Sequence, residues 1–180
     1  RQAVTLNPRL RARLADADLI IYAPGTQHSS LFPSYLTPGL ADVIAANITA
    51  IKLLITNIQT DAEILGASAV DIIGRALFYL NDKGRRALPT PCLITHYVVN
   101  DPGRVEAAAP YVPLGQIEAL EDPRLVRIAN YEDGVTGRHD AARLLEPFVR
   151  SLVDRVVRHE AVAARDQLQP QLALAQAGLA

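Results

Sequence analysis

Residues 18–30 read Asp18-Leu19-Ile20-Ile21-Tyr22-Ala23-Pro24-Gly25-Thr26-Gln27-His28-Ser29-Ser30, and residues 51–57 read Ile51-Lys52-Leu53-Leu54-Ile55-Thr56-Asn57. Leu19 to Tyr22 is a short apolar run without a helical period, the pattern of a strand buried on both faces. Pro24-Gly25 ends it, and three hydroxyl residues, Thr26, Ser29 and Ser30, follow at once. A mostly helical segment leads to a second apolar run, Ile51 to Thr56. Strand, hydroxyl-rich turn, helix and strand make up one α/β unit. In an open α/β sheet ligands sit at the carboxyl ends of strands, where this turn falls. Two readings of the turn stand side by side. Free N–H groups and the start of a helix suit an anion or nucleotide phosphate. The same residues suit an ordinary turn with Ser29 or Ser30 as helix N-cap. Neither a Walker Lys nor a G-x-G-x-x-G is present.

Upstream, Ala3–Leu6 is a short strand candidate. Asn7 and Pro8 are the N-cap and first residue of a helix to about Asp16, packed through Leu10 and Leu14. Arg9, Arg11 and Arg13 fall off that Leu face and read as solvated. After the turn, Ser30–Leu36 is a short helical piece. Thr37-Pro38 restarts a helix with Thr37 as N-cap, and Leu40, Val43 and Ile44 carry it to about Asn47. Asn57 ends the second strand, and its amide both donates and accepts, which suits a base or sugar. It equally suits an Asn that bonds its own backbone. Asp61 and Glu63 read as a solvated pair.

Ala67–Asn81 is a helix with a stripe of Val70, Ile73, Leu77 and Leu80, stopped near Gly84. Cys92–Val99 reads as a strand that includes His96, a core histidine rather than a ligand. Asn100-Asp101-Pro102-Gly103 is a turn. Val105–Ala109 is a short helix candidate. Val112–Ile117 and Leu125–Ala129 are strand candidates, the first weakened by Pro113. A polar loop with two glycines spans 130–138. Asp140 is the N-cap of a last helix whose apolar face runs from Leu144 to Val157, with a kink or restart expected at Pro147. The expected organisation is an α/β domain over residues 1–160, with 161–180 as a tail or fraying helix. The fold class is α/β, a Rossmann-like, mainly parallel sheet flanked by helices.

A chain of 180 residues that is 49% apolar and 21% charged is globular and large enough for one sizeable core. A net charge of -1 and scarce aromatics argue against a nucleic-acid surface. No run is long enough to span a bilayer, and no signal peptide is visible. The single Cys92 excludes an internal disulfide and fits a cytoplasmic location. There is no Met, so a piece of a longer polypeptide is expected. A serine hydrolase lacks its G-x-S-x-G elbow, and the four histidines lack paired metal spacing, so no metal site is expected.

The segment from Ala17-Asp18 through Pro24-Gly25-Thr26, Ser29-Ser30, Pro33, Leu36 and Gly39-Leu40 resembles the signature A-D-x-I-x-x-G-P-G-S-x-x-T-S-x-x-P-x-L-L-x-x-G-I of the CofD-like family. Asn57 and Thr60 resemble the N-x-x-T that follows it, and Arg138-His139-Asp140 resembles the C-terminal R-H-D motif. Thr60-Asp61-Ala62-Glu63 departs from the family's T-Q-P-G-E-T, and the family's opening strand and Gly-rich turn have no counterpart here. The resemblance therefore covers the later part of the family domain and implies that its first strand-turn unit is missing.

It implies a regulatory domain that binds a nucleotide sugar such as UDP-N-acetylglucosamine, like the gluconeogenesis factor. Pro24, Gly25, Thr26, His28, Ser29, Ser30, Asn57, Thr60 and His139 are then the ligand-binding residues. The alternative branch is 2-phospho-L-lactate transferase, which moves a phospholactyl group from a GDP-linked donor to a deazaflavin precursor with Mg²⁺. Expected partners are a nucleotide or nucleotide sugar, with no nucleic acid and no membrane, and a homodimer is a candidate assembly.

Overall fold

The computed structural model describes residues 4–101, 103 and 110–177. The chain divides into two compact units, residues 1–140 and residues 141–180. In the first, four strands form one parallel sheet in the order β1 (Leu19–Tyr22), β2 (Ile51–Ile55), β3 (His96–Asn100) and β4 (Val126–Ala129). The register sets Leu19 beside Ile51, Leu53 beside His96 and Tyr97 beside Val126. Helices fill the first two crossovers, and the expected Rossmann-like α/β arrangement is the one observed.

β2 is buried along its whole length. β1 is not, and here the expectation of a strand covered on both faces is corrected. Ile20 and Tyr22 face the core, whereas Ile21 on the other face is 41% exposed. The core on the first face joins Tyr22, Leu54, Tyr97 and Val99 to Phe32, Ile72 and Ile73. The buried Tyr22 hydroxyl donates to the Leu93 carbonyl at 2.9 Å. Lys52, only 1% exposed, passes its Nζ to the Cys92 carbonyl at 2.6 Å, and burial pulls its pKa down.

Helix α1 (Pro8–Ala15) starts as expected: the Asn7 side chain accepts from the Arg9 N–H at 2.8 Å. None of its residues is buried, so Leu10 contributes little packing. After β1 the chain enters a π turn at Gln27–Leu31, continues as α2 (Phe32–Tyr35) and then forms α3 (Leu40–Ala46). Ser29 and Ser30 lie inside the π turn, so neither is its N-cap; that position is Thr26. The N-cap of α3 is Gly39 rather than Thr37, because only a left-handed residue, φ 82°, makes the corner after Pro38.

Helix α4 (Ala69–Leu80) is held at its start by a reciprocal capping box of Ser68 and Asp71, and it buries Ala69, Ile72, Ile73, Ala76 and Leu80. Cys92–Val99 is not one strand. Thr90–Leu93 is a short helix, α5, and β3 begins only at His96. Pro91 within the first turn and the Thr95 hydroxyl, which accepts from the Lys52 N–H at 2.8 Å, move the strand start downstream. Val112–Ile117 forms no strand. Tyr111 makes an isolated antiparallel bridge to Gln59, and a 3₁₀ turn follows at Ile117–Ala119. The Val105–Ala109 candidate and Ala3 lie outside the described residues, and no element covers residues 4–7.

The second unit is one helix, α6 (Ala141–Ala177). It continues as one helix through Pro147, so the helix does not restart there: the proline removes one N–H from the ladder, and the turns on either side persist. It extends to Ala177 within the 161–180 segment. Among the described residues, no helix is long and apolar enough to cross a membrane.

Candidate functional site

The carboxyl ends of β1 and β2 deliver two loops side by side. Asn57 joins them. Its amide donates to the Gly25 carbonyl at 3.3 Å and to Asp61 Oδ2 at 3.3 Å, and its Oδ1 accepts from the Gly25 N–H at 3.4 Å. Asn57 is therefore more than a strand terminator: it fixes the turn after β1. Asp61 also accepts from the Glu63 N–H at 2.8 Å, which shapes the loop that lacks the Pro-Gly pair.

Beyond Asn57 lies an open pocket of about 220 Å³ lined by Pro24, Gly25, Asn57, Ile58, Gln59, Gly137 and His139. Four of the expected site residues thus meet, although His139 lies far along the chain. His139 arrives on the loop after β4, where residues Glu132 and His139 form an antiparallel bridge. Its ring donates to the Thr56 carbonyl at the end of β2. Burial holds the imidazole below its ordinary value of 6.5, against the opposing pull of that carbonyl and of Glu132. The ring is therefore neutral near pH 7. With one nitrogen committed to Thr56, the other is an acceptor. The pocket lining carries no Lys or Arg.

The hydroxyl-rich turn is adjacent. Thr26 and Ser30 pair with each other, Oγ to Oγ at 2.8 Å. The Ser29 hydroxyl binds Glu63, and the His28 and Ser29 N–H groups donate to Glu63 Oε2 at 2.7 and 3.3 Å. These bonds hold Glu63 below the usual carboxylate range. The anion expected on these N–H groups is met by the chain's own side chain. The His28 ring stands edge-on to Phe32, 5.0 Å between centroids. Thr60 turns away from the pocket, both its N–H and its hydroxyl bonding the Pro110 carbonyl.

Sequence reasoning missed Gln59, Gly137, Glu63 and Glu132. Gly137 carried a legible signal, a glycine two residues before His139. At φ 72° it lies so close to Gln59 that an added Cβ would stand 2.2 Å from Oε1. Glu132 carried none, since an acidic residue in a polar loop reads as solvated, yet it is 1% exposed. Among the described residues no group of three or more His, Cys, Asp or Glu could hold a metal ion.

An open parallel α/β sheet with a pocket at the carboxyl ends of its first two strands defines the class: a Rossmann-like domain. No family model matches the chain, and no curated protein matches it significantly. Among solved structures it is similar to protein BH3568 from Bacillus halodurans, with a TM-score of 0.63 and 19% identity over 81% of this chain and 47% of that one. A second crystal structure of BH3568, described as a member of the UPF0052 family, gives a TM-score of 0.62 and 21% identity over 81% and 46%. The likeness shows the fold, and the chain spans about half the length of the protein it matches.

Proposed function

We propose that the chain is the nucleotide-sugar-binding part of a CofD-like regulator, of the kind that binds UDP-N-acetylglucosamine. The observation that carries this is the convergence of Gly25, Asn57 and His139, from three separate motifs, on one pocket. UDP-N-acetylglucosamine offers ring hydroxyls and amides that an Asn amide, a Gln amide and a neutral imidazole can pair with. Pockets for whole ligands hold about 300–1,000 Å³, so this one, at about 220 Å³, takes a single ring of the ligand. The likeness to BH3568 supports the same reading, because UPF0052 is the family to which the CofD-like proteins and the gluconeogenesis factor belong.

The test is a thermal-shift and calorimetric titration of the chain with UDP-N-acetylglucosamine, GDP with Mg²⁺, and NAD. A ligand that binds only the native state raises the melting temperature. The expected result is a rise with the UDP-sugar alone, lost in Asn57→Ala and His139→Asn. A preference for GDP with Mg²⁺ overturns it in favour of the transferase branch. A folded sample that responds to none removes ligand binding by this chain alone.

A further inference from the structure

The loop that carries His139 has two glycines and several charges, a composition that alone gives no fixed shape. One buried side chain gives it one. Glu132 Oε1 accepts from the Gly137 N–H at 2.6 Å, and Oε2 accepts from the Tyr111 hydroxyl at 2.9 Å. Its own N–H donates to Asn130 Oδ1 at 3.0 Å. On either side of it, the Asp133 N–H bonds the Arg138 carbonyl at 2.9 Å and the Asp140 N–H bonds the Tyr131 carbonyl at 2.7 Å. Tyr111 is bridged in turn to Gln59, and Gly137 lies directly on the Gln59 side chain. The Glu132 carboxylate thus ties Gly137, which lines the pocket, to Tyr111, whose bridge partner Gln59 lines it too.

Burying a carboxylate is costly, and for packing alone an apolar residue serves as well or better. The carboxylate brings two acceptor oxygens to two converging donors and sets a negative charge beside the imidazole. We propose that Glu132 is the positioning residue for His139: its hydrogen bonds to Gly137 and Tyr111 hold the 132–139 turn so that His139 sits against the end of β2 with one ring nitrogen open to the pocket. That the pocket takes a ligand rests on the reading above; the positioning does not.

The experiment is ¹⁵N-edited NMR of the His139 ring in the 180-residue chain, assigned with His139→Gln, together with UDP-N-acetylglucosamine titrations. Wild type should show one neutral tautomer, its two ring nitrogens well separated. Glu132→Gln keeps the shape, and it should bring those signals together and weaken the UDP-sugar about tenfold, as expected from misplacing one hydrogen bond. Tyr111→Phe, which keeps the carboxylate and its bond to Gly137, should move the signals the same way by less. Unchanged His139 signals in folded Glu132→Gln overturn the proposal. Should that variant not fold, unchanged signals in Tyr111→Phe overturn it. Altered His139 signals in a chain whose wild type binds no UDP-sugar uphold the positioning and overturn the ligand reading instead.

Discussion

His139 and His96 are the two half-buried histidines whose pKa values burial lowers, His96 also through Arg127. The sign follows from linkage. The unfolded chain takes up these protons at a higher pH than the folded chain, so stability rises with pH through this range. It is complete above the ordinary histidine value of 6.5 and falls as pH drops below it. Urea midpoints at pH 7.5 and 5.5 should therefore differ, with the acid value lower, and His96→Gln combined with His139→Gln should flatten the difference. A double variant with an unchanged slope would assign the effect to other groups. Asn57 shows what was legible at this scale. Its position at a strand end marked it, while its three bonds to Gly25 and Asp61 depend on a neighbouring loop that sequence order does not place.

Among the elements, α4 was the easiest to read, because twelve residues of helical period outweigh local ambiguity. Its stripe is centred on Ala69, Ile72, Ile73, Ala76 and Leu80, with Val70 and Leu77 at the margin. Its start was not so easily read: the sequence pattern opens the helix at Ala67, and the structure makes Ser68 the N-cap, three residues before Asp71. Ser68 Oγ accepts from the Asp71 N–H at 3.2 Å, and Asp71 Oδ2 accepts from the Ser68 N–H at 2.8 Å. Ser68→Ala should cost about 1 kcal/mol, the usual worth of such a cap, and chemical denaturation should show it as a lower midpoint with an unchanged slope. Short pieces were harder. α5 and β3 share one apolar run, and the break between them comes from Thr95 pairing with Lys52, a tertiary contact. The π turn was hidden for the same reason: Glu63 caps the His28 and Ser29 N–H groups from a different loop.

For the whole molecule, the parallel α/β class followed from alternating apolar runs and helical stripes. The open side of the sheet did not. Ile20, Ile21 and Tyr22 look alike in sequence, and only the assembled chain separates the covered pair from the exposed Ile21. Among the described residues β1 pairs on one side only, with β2, and an open edge with an apolar neighbour is a template for association. Ile21→Thr keeps strand propensity while removing apolar surface. It should lower concentration-dependent association in sedimentation velocity, and wild type that remains monomeric at every concentration would show that this edge is already protected.

The strand order carries a consequence for how the chain acquires its shape. Each strand pairs with the one synthesised just before it, so the sheet can be laid down in the order in which the ribosome releases it. Among the described residues no strand waits for a partner from the far end, and each addition closes only one crossover. The pocket, however, needs His139, which emerges last of its lining residues. A nascent chain released only as far as β4 would already hold its four strands in register and yet present no finished pocket.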